Sequence, residues 1–151
     1  MENKIDLVSI KKQDYKLLYD ILKNREKVEN ISHKKMPTYD QHILFVNSKP
    51  YQKWYKILYQ NNVVGTVYLS KINEIGIHLI NISIDNKLYK KIIKEVMKNN
   101  PKERYLINVA IKNKKFNKLI ESYGFEKIQR TFELNSKKLR WNKLNYLILQ
   151  L

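Results

Sequence analysis

Glu74 and His78 stand in the stretch NEIGIHLI, residues 73–80, and are the groups best suited to act as a general base, taking a proton from a nucleophile directly or through one water. Each also has a plainer reading. Glu74, close to Lys71, fits a surface carboxylate at a strand start, and His78, set between Ile77 and Leu79, fits a half-buried ring satisfied by a neighbour. Other chemistries are excluded more firmly. The chain has no cysteine, so it carries no thiolate nucleophile, disulfide framework or cysteine-based zinc site. His33 and His42 lack a chelating spacing and no acidic pair completes a set, so no metal is expected. There is no Ser-His-Asp arrangement, nucleophile elbow, Walker loop or dinucleotide fingerprint.

Two further groups could serve binding. Tyr39, Tyr51, Trp54, Tyr55 and Tyr68 are numerous enough to line an acceptor pocket, although aromatics on adjacent strands also serve cross-strand packing. SIDNKLYKKIIKEV, residues 83–96, reads as a helix start just after a strand, the position at which nucleotide-using folds keep a glycine-rich phosphate loop, yet it has no glycine. Lys87, Lys90 and Lys91, with Lys112, Lys114 and Lys115 around Asn113, could meet phosphate by charge; a solvated helix face is the alternative.

The elements that must position these residues follow from periodicity. Ile5–Ile10 alternates as a strand, and 14–25 places Tyr15, Leu17, Leu18, Ile21 and Leu22 on one helical stripe. Thr38 caps a second helix with Tyr39, Ile43 and Val46 on a shared face, stopped at Ser48-Lys49-Pro50. Strands are predicted at 51–59 and 63–71, joined through Gln60-Asn61-Asn62, and at 73–80. Asp85 caps a helix with Leu88, Ile92 and Val96 buried, ending at Asn99-Asn100-Pro101. A strand at 104–111, a helix at 114–123 stopped by Gly124, and closing strands at 125–134 and 139–151 complete the order β-α-α-β-β-β-α-β-α-β-β, a single domain over residues 1–151.

That order and three local signals resemble the GNAT superfamily of N-acetyltransferases over nearly the whole chain. Asn113, followed at N-x(10)-G-F spacing by Gly124-Phe125, is similar to the family's element after the fifth strand. VVGTVYLS with NEIGIHL, carrying Gly65 and Gly76, is similar to the strands that precede the coenzyme loop, and ISHKKMPTYDQHILFV with YQKWYKILY looks like the substrate-side helix and second strand of small bacterial members. The resemblance implies a mixed α/β (α+β) domain with a largely antiparallel central sheet, flanked by helices and splayed between its fourth and fifth strands. By it, backbone groups of Ile77, His78 and Leu79 would bond the pantetheine arm of acetyl-CoA, Glu74 or His78 would be the base, and Asn113 would tie down a strand end.

In the family a Q/R-x-x-G-x-G/A loop holds the pyrophosphate, and its positions fall here on Ile84, Asp85, Asn86, Lys87, Leu88 and Tyr89. Lys87 and Tyr89 replace the glycines and Asp85 adds a like charge, which would weaken coenzyme binding. The tyrosine used by many members as general acid corresponds to Ile120, leaving Tyr123 as the nearby phenol.

The formal charge of +16 favours anionic ligands, but the lysines are spread along the chain and arginine occurs only at 25, 104, 130 and 140. The expected function is therefore acetyl transfer from acetyl-CoA to a primary amine of a small molecule such as an amino sugar, by a cytoplasmic protein without a signal peptide or membrane span. A non-catalytic binding protein that has lost the coenzyme, and a basic nucleic-acid-associated protein, are the alternatives.

Overall fold

The turn Gln60-Asn61 sets the register of the central hairpin. Both residues have positive φ, 50° and 63°, the geometry of the two-residue turn whose twist matches that of paired strands. The structure is a computed structural model and describes residues 4–25, 35–80 and 85–134. Its elements are β1 (Ile5–Ser9), a 3₁₀ turn (Lys12–Asp14), α1 (Tyr15–Lys23), α2 (Tyr39–Asn47), β2 (Tyr51–Tyr59), β3 (Asn62–Ser70), β4 (Ile75–Leu79), α3 (Asn86–Asn99) and α4 (Lys114–Tyr123). The strands form one antiparallel sheet in the order β1-β2-β3-β4. This is the α+β architecture that the order of elements implies.

Alternation divides the sheet into two faces. Ile5, Ile57, Val67, Leu69 and Ile75 point to one side, where Leu88, Tyr89, Ile92, Ile93 and Val96 of α3 and Leu119 and Ile120 of α4 complete the core. Thr66 opposite His78, Tyr68 opposite Gly76, and Trp54 opposite Tyr68 occupy the other side, toward α1 and α2.

Caps set the helix ends. The Thr38 hydroxyl accepts from the Gln41 N–H at 3.2 Å while the Gln41 side chain accepts from the Thr38 N–H at 2.9 Å, a reciprocal capping box. Asn113 caps α4 by accepting from the Phe116 N–H at 3.3 Å. Gly124, at φ 115°, closes the same helix, with its own N–H donating to Glu121 and that of Phe125 donating to Ile120, the paired bonds of a Schellman stop. The buried residues of α2 are His42 and Val46, not the face through Tyr39, because His42 turns toward the sheet.

The strand predicted at 104–111 takes another form. The segment 104–111 meets β4 through a single parallel bridge, Glu74 with Leu106, where the Ile75 N–H donates to Leu106 and the Leu106 N–H donates to Asn73. The ladder begins and ends there, which is the splay expected between fourth and fifth strands. Its apolar run satisfies other demands: the Tyr105 hydroxyl donates to the Asn100 carbonyl at 2.6 Å and accepts from the Lys102 N–H, clamping the end of α3. In the segment 125–134 Phe125 is half-buried against the core and the rest is exposed, with no ladder partner among the described residues; Phe132 is 87% exposed. The strand predicted at 139–151 lies outside the described residues. Among those described, no helix is long and apolar enough to cross a membrane.

Asp14 anchors the entry to α1. It is buried, accepts from the Lys11 N–H at 2.9 Å and pairs with Lys56 of β2 at 2.8 Å. Burial alone would raise its pKa, but the Lys56 and Lys11 hydrogen bonds and charges outweigh burial and hold it below its ordinary 3.8. A carboxylate with a depressed folded-state pKa contributes its full stability above that ordinary value and loses it as pH falls through the folded one. Asp14→Asn is therefore expected to cost about 1–3 kcal/mol at neutral pH, and its melting temperature should fall less steeply than wild type below about pH 4, as thermal denaturation across pH would show.

Candidate functional site

Gly76 positions the site by what it lacks. A Cβ there would lie 2.0 Å from Cζ of Tyr68, so the glycine lets the Tyr68 ring lie flat across β4. Held there, Tyr68 stacks on Tyr51 with centroids 3.8 Å apart and planes within 3°, and Trp54 meets Tyr51 edge-on at 4.8 Å. The Tyr68 hydroxyl sits 3.5 Å from Oε1 of Glu74, and its ring lies 5.9 Å from that of His78.

These rings floor a cavity of about 160 Å³ between the sheet and α1 and α2. Leu18, Ile21, Leu22 and Arg25 wall it from the α1 side, and Pro37, Gln41, His42 and Phe45 from the α2 side. Burial, aided by the charge of Arg25, pushes His78 down to about 3, so its ring is neutral throughout the physiological range. Burial, reinforced by Glu74 and opposed by Arg25, pushes Tyr51 up to about 12; Tyr68 is raised by burial and by Tyr51 and Glu74. Both phenols remain protonated donors at neutral pH.

The proton-transfer candidates occupy different places. Glu74 and His78 point to the same face of an extended stretch, with Cα atoms on the order of 13 Å apart, so one substrate atom cannot touch both directly. His78 is part of the cavity wall; Glu74 reaches it through the Tyr68 hydroxyl. Tyr123 packs against Phe125 and the core between sheet and helices, away from this cavity, and burial raises its pKa. Ile120 is buried in that core. Of the aromatic set, Tyr51, Trp54 and Tyr68 line the cavity; Tyr55 points to the other face, where its hydroxyl donates to Asn100, and Tyr39 packs on Tyr19 at the surface. Arg25, His42 and Thr66 are wall residues that sequence reasoning passed over. The signal for Arg25 was the helical stripe through Leu18, Ile21 and Leu22, which continues to it.

The coenzyme candidates divide likewise. The Ile80 N–H donates to Val64 of β3, whereas the Ile75 N–H donates outward to Leu106. By alternation the backbone groups of Ile77 and Leu79 face outward with Ile75, on an edge without a ladder partner among the described residues past Leu106. His78 faces inward: a Cβ added at Gly65 would lie 2.2 Å from its carbonyl oxygen, so its backbone belongs to the β3 ladder and only its side chain is left for the site.

At the mouth of α3, the Asp85 carboxylate accepts from the Lys87 N–H at 2.9 Å, filling part of the anion position with the chain's own charge. Asn86 and Lys87 are exposed, as are Lys91, Lys112, Lys114 and Lys115, and Lys90 is half-buried. Leu88 and Tyr89 turn into the core, where Tyr89 meets Phe116 at 5.1 Å. Tying the end of 104–111 to α4 falls to Asn117, whose amide donates to Ala110 at 3.0 Å and to Asn113 at 2.9 Å; Asn113 itself serves as the cap. Ile84 and His33 lie outside the described residues. No group of three potential metal ligands is clustered among the described residues.

Several solved structures share this architecture. Spermidine N-acetyltransferase from Vibrio cholerae in complex with CoA and spermine matches at a TM-score of 0.69 and 18% identity, over 87% of this chain and 88% of that one. A dodecameric form of the Vibrio cholerae enzyme in an intermediate state gives 0.61 and 17%, over 83% and 81%. A domain from Methanocaldococcus jannaschii DSM 2661 gives 0.66 and 22%, over 87% and 94%. At such identities the likeness is one of architecture: this chain has the fold of the GNAT N-acetyltransferases. No protein-family profile matches the chain, and no curated protein does.

Since the site depends on the Tyr68 ring lying over bare backbone, Gly76→Ala should displace it. The expected result is a loss of about 1–3 kcal/mol of stability from overpacking, with a weakened near-ultraviolet circular dichroism signal from the separated Tyr51 and Tyr68; an unchanged spectrum would show that the stack survives elsewhere.

Proposed function

We propose that this protein transfers an acetyl group from acetyl-CoA to the amine of a small molecule. The observation that carries the reading is the combination on β4: outward backbone groups of Ile77 and Leu79 without a strand partner past Leu106 among the described residues, on a strand whose face forms the aromatic cavity. A pantetheine arm bonded along that edge would bring its thioester to a cavity holding the amine. The fold shared with a structure solved with CoA and spermine supports the same reading.

The chain's own contributions follow from its charges. Backbone N–H groups of Ile77 or Leu79 would polarise the thioester carbonyl. The surroundings that keep His78 neutral favour the neutral, nucleophilic form of an acceptor amine, and the His78 ring can accept a hydrogen bond from it. The proton released as nitrogen bonds to the acyl carbon passes through the Tyr68 hydroxyl to Glu74. The C–S bond then breaks; a thiol with a pKa of about 8.5 departs as thiolate near neutral pH, so the placement of Tyr123 and Ile120 in the core is no obstacle.

Exposed Lys87, Lys91, Lys114 and Lys115 would supply by charge part of what the α3 amides no longer offer to a pyrophosphate. The capped Lys87 amide is also what favours the second reading, a protein of this fold that has ceased to bind coenzyme.

Acetyl-CoA at about one hundred times its dissociation constant is expected to stabilise the protein by about 2.7 kcal/mol, with the gain shrinking as salt screens the lysines. No thermal shift at millimolar coenzyme would decide for the non-catalytic reading. Glu74→Gln should lower kcat roughly a hundredfold while leaving the acetyl-CoA-induced shift intact; an undiminished kcat would place the base elsewhere.

A further inference from the structure

Gln52 stands in β2 at a place where the ladder slips. Tyr51 lies opposite Ser70 and Lys53 opposite Leu69, so Gln52 is an extra residue with no opposite number. Such a bulge re-aims side chains that strict alternation would send to one face or the other. Here the Tyr51 ring stacks on Tyr68 while the Gln52 amide turns to the loop between β3 and β4. Its Nε2 donates to the Ser70 carbonyl at 2.6 Å and to Oδ1 of Asn73 at 2.9 Å. A carbonyl only accepts, so the amide must present its N–H donors there. The tip of the loop has no packing of its own, with Lys71 exposed and Ile72 66% exposed. Polar bonds therefore set its shape. Asn73 has φ 63°, the left-handed conformation that ends a three-residue hairpin loop, and its N–H donates to the Ser70 carbonyl at 3.0 Å. The Ser70 hydroxyl accepts from the Glu74 N–H at 3.0 Å. On its far side the loop delivers Glu74 to the Tyr68 hydroxyl and the Asn73 carbonyl to the Leu106 N–H.

We infer that Gln52 is a positioning residue for proton removal: by bonding Ser70 and Asn73 it fixes the loop that carries Glu74, and so holds the Glu74 carboxylate at the Tyr68 hydroxyl. The inference rests on the acetyl-transfer reading for naming Glu74 as the base; the hold itself needs neither coenzyme nor acceptor. Glu74 follows directly on the left-handed residue, so any rotation at Asn73 swings its side chain. The 3.5 Å from Oε1 of Glu74 to the Tyr68 hydroxyl is at the limit of a hydrogen bond, and a small displacement breaks the relay. Tyr68 is fixed from its own side, by the bare backbone of Gly76 and the stack on Tyr51. Glu74 is the partner whose place depends on the loop. Gln52 and Tyr51 are neighbours in one bulge, so a single irregularity of β2 places both the ring that orients Tyr68 and the amide that orients Glu74.

The test uses the full chain and two readouts. Without coenzyme, nuclear magnetic resonance of isotope-labelled tyrosine, with the Tyr68 signal identified by Tyr68→Phe, should show that signal moving in Gln52→Met in the same direction as in Glu74→Gln. With acetyl-CoA and glucosamine as the acceptor, followed by thiol release, Gln52→Met should lower kcat roughly ten- to a hundredfold and leave the KM for acetyl-CoA unchanged. In a Glu74→Gln background the same substitution should change kcat by less than about twofold, because a residue that acts through Glu74 then has nothing left to place. A loss undiminished in that background, an unchanged kcat, or a Tyr68 signal unmoved by Gln52→Met would overturn the inference. Gln52→Asn, which keeps an amide but shortens its reach, serves the same comparison if Gln52→Met does not fold. Failure of the transfer reading is seen separately: if the wild type does not acetylate glucosamine, or if Glu74→Gln leaves kcat undiminished, the Tyr68 signal alone decides whether Gln52 holds Glu74.

Discussion

The two-residue period of β3 and β4 is the constraint on which the remainder of the molecule rests. It sends Val67, Leu69 and Ile75 into the core with α3 and α4, and Thr66, Tyr68 and His78 into the cavity beneath α1 and α2. A slip of one residue would exchange the two sets, putting apolar side chains into the cavity and the histidine and phenol into the core. Register is held by the Gln60-Asn61 turn and by Gly76, whose bare backbone accepts the Tyr68 ring where any other residue would collide with it. The core and the site are thus two outcomes of one ladder.

The same period governs what lies along the outer edge of β4. Groups of Ile75, Ile77 and Leu79 point outward, and only Ile75 meets the next segment, at Leu106. A strand that pairs for one bridge and then parts from its neighbour exposes hydrogen-bonding backbone without exposing a whole edge. On the inward side His78 spends its backbone on β3 and offers only a ring, in surroundings hostile to positive charge. Donor edge and neutral ring therefore belong to adjacent residues of one short strand, beside the buried phenols of β2 and β3.

Much of this was legible in the sequence. Thr38, Asp85 and Gly124 each declared a helix end through a local bond or a positive φ, and each fills that role, whereas Asn113, expected to tie down a strand end, caps α4. The stripe Leu88, Ile92, Val96 announced the buried side of α3, and the hairpin around Gln60-Asn61 followed from turn chemistry. The run 104–111 misled because β-forming residues specify an extended segment but not how long a neighbour stays beside it; Tyr105 turns back to clamp α3. The run 125–134 has no ladder partner among the described residues, and strand formation depends on a partner that local sequence cannot supply.

By itself, then, the sequence determined the elements whose causes are local: caps, turns, apolar stripes, and the absence of any thiol chemistry. Only the tertiary structure decided which of those elements face one another. It separated Glu74 from His78, drew Tyr123 and Tyr89 into the core, left the Trp54 indole without a hydrogen-bond partner among the described residues, and brought Arg25 and His42 into one wall with residues of β2, β3 and β4. The physical reason is that hydrogen-bond periodicity and capping act over a few residues and are written in adjacent letters. Burial, field and cavity shape are sums over side chains far apart in the chain, and they exist only once the sheet has set its two faces.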